Sequence, residues 1–401
     1  MRTVAVVGIG ADGWAGLSDP ARDHIRRAEV ILGGARHLDL VPGASGERIA
    51  WPSPLLAALP GLLDAHADRA VCVLASGDPL FFGIGAALIR LLGPERVEVL
   101  PHPSSVSLAC ARLGWSWEDI EVVSLVGRPV DHLHRVIQPN QRLLVLSADG
   151  HTPATVAKLL THRGYGPSWL TVLEQLGGPA ERAVTARADS WTHATTDALN
   201  VIGVECQPDE ATSGLSLVPG LPDEAFANDG QLTKRELRSI TLARLAPMPG
   251  QLLWDVGAGA GSIAIEWMRV HRSCRAIAIE SRPDRSARIA SNAADLGVPH
   301  LEIVTGAAPE ALDGLPRPNA VFVGGGATVP GVIEACWDAL ARRGRLVVNA
   351  VTLESERVVA NWCDRIGGDL IRVAVSRASP VGGFTAWRPM MPVTQWTVDK
   401  T

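Results

Sequence analysis

The chain has 401 residues, of which 47% are hydrophobic and 20% are charged. This length exceeds one ordinary core and predicts two domains, while the composition excludes a disordered or fibrous chain. The formal net charge of −5 argues against a nucleic-acid partner, because a general basic field is missing.

The cysteines and the apolar segments indicate the compartment. The six cysteines are scattered, with no CxxC pair and no His-Cys cluster at metal spacing, so we predict free thiols and no metal site. The opening MRTVAVVGIG has an apolar stretch too short for a signal sequence and predicts a first strand. Gly77, Asp78 and Pro79 interrupt the longest apolar tract, which is therefore unsuited to a membrane span. We expect a cytoplasmic protein without membrane contact.

The first half alternates short β-branched runs with helical patterns, which is typical of α/β architecture. Its strand candidates form two groups and predict two lobes. The first group lies at 3–8, 70–76 and 96–100, and the second at 121–125, 142–147, 169–173, 182–187 and 199–205. A cleft between the lobes is the expected ligand site.

Two loops at strand ends of this half are rich in glycine. VVGIGADG (6–13) ends the first strand, and LASGDPLFFGIG (74–85) ends another before a new helix. Glycines at such places let a ligand approach the backbone. Asp78 could equally cap a helix that starts near Pro79, so the loops alone leave both interpretations open.

Four further segments complete a family pattern: HPSSVSLACARLGW (102–115), SLVGRP (124–129), LSADGHTPATVAKLL (146–160) and VLEQLGGPAERAVTARAD (172–189). With the two loops, they resemble the tetrapyrrole methylases, and among them the precorrin C5-methylating type. The resemblance implies a two-lobed class III methyltransferase fold. It also implies contacts to S-adenosylmethionine from Gly8, Gly10, Gly77, Asp78, Ser104, Ser105, Leu146 and Gly177. Ile9 stands where many relatives have proline, so this loop is expected to be less rigid.

The segment after Glu205 predicts a domain boundary. CQPDEATSGLSLVPGLPDEAFANDGQ (206–231) is rich in Pro, Gly, Ser and Asp and lacks apolar periodicity. We predict a first domain at 1–205, a linker at 206–219 and a second domain at 220–401.

The second half predicts a Rossmann-like sheet. Five strand candidates alternate with helical segments, at 252–256, 276–280, 301–304, 319–324 and 345–350, and two more follow at 370–376 and 393–398. Five βα units and two terminal strands make a seven-stranded sheet.

A glycine loop follows the first of these strands. WDVGAGAGSIAIE (254–266) has glycines at 257, 259 and 261, whereas a dinucleotide fingerprint needs its third glycine at the position of Ser262. Asp255 precedes the loop. Glu280 ends the next strand, where a carboxylate can accept hydrogen bonds from both hydroxyls of a ribose. This pattern resembles the class I S-adenosylmethionine-dependent methyltransferases.

Other segments narrow the resemblance to the decarboxylating precorrin C15-methyltransferase subunits: LTKRELR (232–238), IESRP (279–283), GAAPEAL (306–312), VFVGGGA (321–327) and GRLVVNAVTLES (344–355). The resemblance implies cofactor contacts from Thr233, Glu280, Ala308 and, in and before the glycine loop, Asp255, Gly257, Ala258, Gly259, Ala260 and Gly261. Ala307 stands where relatives often have an acid, so the adenine contact there must come from backbone or neighbouring groups.

The fusion of the two types resembles the decarboxylating precorrin-6Y C5,15-methyltransferases of cobalamin biosynthesis. The resemblance implies two S-adenosylmethionine molecules, one in each domain, and methylation of a reduced precorrin-6 at C5 by the first half and at C15 by the second. The second half would also remove carbon dioxide from the C12 acetate, which gives precorrin-8. Related class I subunits form oligomers, so a homo-oligomer is expected.

This chemistry predicts few acid or base catalysts, since an enamine-like meso carbon and an activated methyl need mainly positioning. The conjugated macrocycle can itself accept the electrons of decarboxylation. The carboxylates of the substrate require local cations. We predict this role for Arg128 in the first half and for Lys234, Arg235 and Arg238 in the second, although each could equally be a solvated surface charge.

Three other interpretations stay open. A methyltransferase of another large substrate such as RNA, with one half degenerate, lacks the expected basic patch. A nicotinamide-dependent oxidoreductase is disfavoured by Ser262, and a binding or scaffolding protein by the glycine loops in both halves. Equilibrium binding of S-adenosylhomocysteine separates these interpretations, because two sites are expected only for the double methyltransferase.

Overall fold

The structure is a computed structural model that describes residues 2–401. The chain divides into two compact units: the residues up to Val130 together with Pro139–Ser213, and Asp131–Gln138 together with Gly214–Thr401. Each unit is α/β, as predicted. The short segment Asp131–Gln138 packs within the second unit, where Gln138 Nε2 donates to the Leu215 carbonyl at 2.7 Å.

The first lobe of the first unit contains five strands: β1 (Val4–Ile9), β2 (Val30–Gly33), β3 (Glu47–Ala50), β4 (Val71–Ser76) and β5 (Val97–Leu100). They form a parallel sheet in the order β3-β2-β4-β1-β5. Its helices are α1 (Asp19–Arg27), α2 (Ala35–Asp39), α3 (Leu55–Asp64), α4 (Gly85–Leu92) and α5 (Ser105–Leu113). Buried parallel strands are continuous apolar runs, and β1, β4 and β5 were predicted on that signal. The four-residue strands β2 and β3 were not predicted.

The second lobe contains β6 (Ile120–Ser124), β7 (Arg142–Leu146), α6 (Thr152–His162), β8 (Trp169–Glu174), β9 (Arg182–Arg187) and β10 (Asn200–Glu205). The sheet order is β6-β7-β10-β8-β9, with only the β6–β7 pair parallel. All five strands and the division into two lobes were predicted.

The second unit alternates helices and strands. In chain order they are α7 (Arg235–Leu245), β11 (Leu252–Val256), α8 (Ser262–Val270), β12 (Arg275–Glu280), α9 (Pro283–Asp295), β13 (Glu302–Thr305), β14 (Ala320–Val323), α10 (Val332–Ala339), β15 (Arg345–Ala350), α11 (Leu353–Ile366), β16 (Asp369–Val373), β17 (Ser376–Val381), β18 (Phe384–Pro389) and β19 (Val393–Asp399). Seven of the strands form one sheet in the order β13-β12-β11-β14-β15-β19-β16, so the predicted seven-stranded sheet is confirmed. The strands β13 to β15 of this order are parallel, and β19 is antiparallel to both neighbours.

Large buried tryptophans fill the core on both faces of this sheet. Trp267 packs in the cluster on one face, and Trp254 and Trp396 pack in the cluster on the other. Each indole donates its N–H to a main-chain carbonyl, at 3.0 to 3.1 Å. The aromatic bodies are therefore buried without leaving a polar group unpaired.

The strands β17 and β18 form a separate hairpin and pair only with each other within residues 2–401. The strand predicted at 370–376 therefore stops at Val373, and Ser376 opens the hairpin. Nearly every side chain of the hairpin is exposed, so it lacks the half-buried alternation that marks a strand in sequence. Across the described residues, no helix is long and apolar enough to cross a membrane.

Candidate functional site

The second unit has a cavity of about 620 Å³ at the carboxyl ends of its parallel strands. The walls come from the loop after β11, from Glu280 at the end of β12, and from the loops after β13 and β14. The strand order reverses between β12–β11 and β14, and open α/β sheets bind ligands at such a point.

The loop after β11 needs glycine for two separate reasons. Gly257 has a φ of +71°, and a Cβ there would lie 2.8 Å from the backbone nitrogen and Cα of Gly325. Gly261 has a φ of +77°, and a Cβ there would lie 2.8 Å from Ile289 of α9. The first glycine therefore lets two backbone loops touch at the cavity wall, whereas the third lets α8 begin close to α9.

Glu280 is 4% exposed and holds the glycine loop. Its carboxylate accepts hydrogen bonds from the Gly259 amide at 2.9 Å, the Arg282 amide at 3.1 Å and the Ser281 hydroxyl at 3.5 Å. A carboxylate has about four acceptor sites, so acceptor capacity remains for a hydroxyl donor from the cavity. The side chain can thus shape the loop and bind a ribose at once.

Asp255 lies behind the loop and does not line the cavity. One carboxylate oxygen accepts from the Ala264 amide at 3.0 Å, and the other has no hydrogen-bond partner among the described residues. Burial raises the pKa of Asp255 to about 7, and the charge of Glu280 adds to the rise. This carboxyl therefore supports the start of α8 rather than the cavity wall.

Six of the residues predicted for cofactor binding in this half line the cavity: Thr233, Gly257, Ala258, Gly259, Glu280 and Ala308. Asp255, Ala260 and Gly261 lie outside the lining. Ala260 is buried, and its carbonyl accepts from Asn292 Nδ2 at 2.9 Å.

The predicted cations of this half occupy three different environments. Lys234 lines the cavity with its Nζ 3.7 Å from Asp223, while Arg235 is exposed and lies outside the lining. Arg238 is fully buried: its guanidinium bonds Glu266 at 2.5 Å, Asp223 at 3.2 Å and two main-chain carbonyls. This corrects the substrate-binding role predicted for Arg238, because all its nitrogens already hold partners inside the fold.

Several lining residues were missed because they come from distant parts of the chain. Asn349 of β15 bonds Thr241 at 3.3 Å and Gln395 at 2.8 Å, which makes a polar network beside the cavity. Met390 and Met391 reach the cavity from the end of the hairpin. No local motif marks these residues, since only the folded sheet brings them to the loop after β11.

The first unit has a cavity of about 340 Å³ between its two lobes, where the cleft was predicted. Six of the residues for which the resemblance implies cofactor contacts line this cavity: Gly10, Gly77, Asp78, Ser104, Ser105 and Leu146. The walls combine the ends of β1 and β4 with the ends of β7 and β10, so residues from both lobes face one space.

Gly8 and Gly177 do not line this cavity, and each is required by the backbone conformation at its own position. A Cβ on Gly8 would lie 1.9 Å from the Gly77 carbonyl oxygen and 2.7 Å from the His102 nitrogen. Gly8, which belongs to β1, therefore lets the loop after β4 approach the backbone of that strand. Gly177 has a φ of +80°, and its amide donates to Glu181 at 2.7 Å.

Asp78 forms a turn and does not cap a helix. Its carboxylate accepts from the Leu80 amide at 2.9 Å, and the next helix, α4, begins only at Gly85. Ser104 is the residue that caps a helix here: its hydroxyl accepts from the Ser107 amide at 3.0 Å at the start of α5. The amino end of α5 therefore points toward the cavity.

Arg128 lies at the edge of this cavity. Its guanidinium carbon is 5.4 Å from the centre of the Phe82 ring, and one nitrogen lies 3.5 Å from the Ser124 carbonyl oxygen. Phe82 and Ser124 both line the cavity. The exposed Arg128 can therefore reach a ligand that projects from the opening.

The first cavity also contains polar groups that the sequence did not predict. Arg36 and His37 of α2 and Ser76 of β4 line its wall. Sequence patterns missed Arg36 and His37 because neither the short helix α2 that carries them nor the strand β2 before it was predicted.

Comparison with known proteins gives matches along nearly the whole chain. The family model described as Tetrapyrrole (Corrin/Porphyrin) Methylases matches residues 3–191, and the one described as Precorrin methyltransferase domain matches residues 224–400. A decarboxylating precorrin-6Y C(5,15)-methyltransferase of Sinorhizobium sp is 48% identical over 398 residues, which are 99% of this chain and 96% of that protein.

Two shorter relatives each match less than half of the chain. A cobalt-precorrin-7 C(5)-methyltransferase of Salmonella typhimurium is 34% identical over 180 residues, 45% of this chain and 88% of that protein. A probable cobalt-precorrin-6B C(15)-methyltransferase (decarboxylating) of Pyrobaculum aerophilum is 33% identical over 182 residues, 44% of this chain and 93% of that protein.

Proposed function

Because this chain belongs to the family of decarboxylating precorrin-6Y C5,15-methyltransferases, we propose that each of its two cavities binds its own S-adenosylmethionine. The protein is an enzyme of cobalamin biosynthesis. It methylates a reduced precorrin-6 at C5 and C15 and decarboxylates the C12 acetate to give precorrin-8.

We assign C5 methylation to the domain at 1–205, and C15 methylation with decarboxylation to the domain at 220–401, with 206–219 as the linker. The two family models support this division, since the tetrapyrrole methylase match falls in the first part and the precorrin methyltransferase match in the second. The two shorter relatives support it as well, because one is named for C5 and the other for C15.

The observation that carries the two-site proposal is a close backbone contact at each cavity. In the first unit Gly8 leaves room for the Gly77 carbonyl, and in the second Gly257 leaves room for Gly325. Where no side chain intervenes, main-chain N–H and C=O groups can bind a ligand directly. We propose that the lining residues predicted from the sequence make these contacts, with Glu280 accepting the ribose hydroxyls.

The residues that line the two cavities fit the chemistry of methyl transfer. Bound S-adenosylmethionine supplies an activated methyl group, which a nucleophilic meso carbon can accept directly. The chain then has to align the two reactants and exclude water. Phe81 and Phe82 contribute apolar surface to the first cavity, and Met390 and Met391 contribute it to the second.

Cations at the cavities are proposed to orient the tetrapyrrole through its carboxylates. Arg128 lies at the edge of the first cavity and Lys234 lines the second. Arg235 remains a weaker candidate, since it is exposed outside the lining. Charge-assisted hydrogen bonds from such groups are the strongest neutral-pH contacts available to a carboxylate.

We further propose a homo-oligomer that forms through the hairpin β17–β18. Phe384 is 84% exposed and Trp387 is 75% exposed, and Val381 on the same hairpin is 55% exposed. Exposed apolar side chains on a strand pair with open edges are typical of an association surface. We also propose that the protein is located in the cytoplasm. The scattered cysteines of the sequence support this location, because free thiols persist in a reducing compartment.

Titration calorimetry with S-adenosylhomocysteine and mass spectrometry of the tetrapyrrole product test the proposal together. We expect two binding sites per chain and a product with two added methyl groups and one lost carbon dioxide. Gly8→Val should remove only the C5 methyl, and Gly257→Val should remove the C15 methyl and the decarboxylation. Two results would contradict the two-site assignment: a single S-adenosylhomocysteine site in the wild type, or a Gly8→Val product that lacks the C15 methyl.

A further inference from the structure

A charged cluster in the first cavity has no part in the chemistry described so far. Arg36 and His37 lie on α2, directly after β2, and Ser76 ends β4. β2 and β4 are neighbours in the parallel sheet, so their carboxyl ends bring the three side chains together on the cavity wall.

Arg36 is a partly buried cation without a counterion. One terminal nitrogen lies 3.0 Å from His37 Nε2 and 3.5 Å from Ser76 Oγ, and no carboxylate among residues 2–401 forms an ion pair with it. The charge of Asp197 acts on Arg36 from beyond ion-pair distance. The Asp197 carboxylate is itself bound by Gln175 at 3.0 Å and by the Leu199 amide at 2.7 Å.

His37 holds the guanidinium in place. Its Nε2 lies within hydrogen-bond distance of both Arg36 and Ser76, at 3.0 and 2.8 Å, so it acts as the acceptor for the arginine. Burial and the Arg36 charge lower the pKa of His37 to about 4, which keeps the ring neutral in neutral solution. A neutral ring can accept the arginine N–H, whereas a protonated ring would repel the guanidinium.

We propose that Arg36, oriented by His37, binds a carboxylate of a ligand in the first cavity. A cation that is partly removed from water is unfavourable unless an anion compensates it, and a guanidinium forms charge-assisted hydrogen bonds with a carboxylate. The Nε and Nη1 atoms of Arg36 make no hydrogen bond within the described chain and can donate to a ligand. Arg36 would thus be a binding residue and His37 a positioning residue.

This inference rests on the proposed function, which supplies two sources of a carboxylate: the side chains of the tetrapyrrole and the amino-acid end of S-adenosylmethionine. S-adenosylhomocysteine carries the same amino-acid end without the reactive methyl. Its affinity therefore reports the cofactor source, and the KM for the tetrapyrrole reports the substrate source.

The test compares Arg36→Gln with Arg27→Gln, a change of an exposed arginine on α1 of the same unit. Loss of a charge-assisted contact should weaken the affected ligand by about 10-fold to 100-fold. If S-adenosylhomocysteine binding weakens, the cofactor is the source; if only the KM for C5 methylation rises, the tetrapyrrole is the source. Either result supports the proposal, and Arg27→Gln should change neither quantity.

Stability separates binding from a structural role. Removing a partly buried cation that lacks a counterion should leave the melting temperature of the ligand-free protein unchanged or raise it. Two outcomes would overturn the proposal. In the first, Arg36→Gln binds both ligands as tightly as Arg27→Gln does. In the second, Arg36→Gln has a lowered melting temperature and binds both ligands more weakly to the same degree. The wild type shows whether the proposed function itself fails. If the wild type does not bind S-adenosylhomocysteine at two sites, the proposed function is refuted and not only the inference about Arg36.

Two changes at His37 test its positioning role. His37→Gln keeps a side-chain acceptor for Arg36, whereas His37→Leu removes it. We expect His37→Leu to reproduce the binding defect of Arg36→Gln with kcat for C5 methylation retained, and His37→Gln to restore most of the affinity. Equal behaviour of the two His37 variants would show that the ring does not orient the arginine.

Discussion

The buried Asp255 makes the stability of the second unit depend on pH, and Asp255→Asn should remove this dependence. The carboxyl is 1% exposed, and only one of its oxygens has a hydrogen-bond partner among the described residues. Burial raises its pKa from an ordinary 3.8 to about 7. Asn keeps the shape and an acceptor for the Ala264 amide but cannot ionise.

The sign and size follow from the two pKa values. A group whose pKa rises on folding contributes its full stability below the unfolded pKa, and this contribution is lost as pH rises through the folded pKa. The interval from 3.8 to 7 corresponds to roughly 4 kcal/mol at 1.36 kcal/mol per pH unit. Because ionisation of the unfolded chain is already under way at pH 5, roughly 2.5 kcal/mol of this loss should fall between about pH 5 and pH 8.

Urea denaturation at several pH values, with the wild type and Asp255→Asn in parallel, measures the effect. The first unit is the same in both proteins, so the difference in unfolding free energy reports the second unit. Asp255→Asn should gain stability over the wild type as pH rises. Asp284→Asn is the control, because that exposed carboxylate has a pKa lowered by Arg282 and its difference should stay flat over this range. If the difference in unfolding free energy between Asp255→Asn and the wild type did not change with pH, the raised pKa of the buried Asp255 would be refuted.

Three further outcomes follow from the second unit. Gly257→Ala should lower the free energy of unfolding by about 2 to 5 kcal/mol, because the new Cβ adds a collision with the Gly325 backbone to the strain at positive φ. Gly326→Ala, where φ is +80° and the space is open, should lower it by only about 1 to 2 kcal/mol. Equal melting temperatures for these two variants would contradict the close contact. Arg238→Met should cost about 3 to 5 kcal/mol in urea denaturation, because it leaves a buried carboxylate unpaired, and a smaller loss would show that the ion pair is dispensable. The double change Phe384→Ser and Trp387→Ser should lower the mass measured by light scattering without lowering the melting temperature; an unchanged mass would exclude the hairpin as the association surface.

The accuracy of the sequence prediction follows how the strands are buried. β11 and β15 have the bounds that the sequence predicted, since strands covered on both faces are mostly apolar. Their few polar residues, Asp255 in β11 and Arg345 and Asn349 in β15, lie near the strand ends. β3 is mostly exposed and four residues long, so its composition does not differ from that of a loop. The hairpin is exposed on nearly all sides and gives no periodic signal.

The same reasoning explains which site residues were predicted. The glycine loop and Glu280 belong to consecutive βα units, so their spacing along the chain reflects their distance in space. Arg238 shows the limit of that signal. Its neighbour Leu237 lines the cavity, but consecutive residues of a helix point about 100° apart, and Arg238 lies on the buried side of α7, where Glu266 binds it. Position on a helix face, and not proximity to a motif, decided its role.

The glycines of the two cavities show that shaping a site and touching its ligand are separate tasks. Gly8 lines no part of the first cavity, yet a side chain there would collide with the Gly77 carbonyl, which does belong to the wall. Gly257 and Gly325 are in contact with each other and also line the second cavity. In both units the contact joins backbone at the carboxyl ends of two adjacent parallel strands, β1 with β4 and β11 with β14. The requirement for glycine therefore comes first from the approach of two backbone segments, and the exposed backbone at the cavity is its consequence.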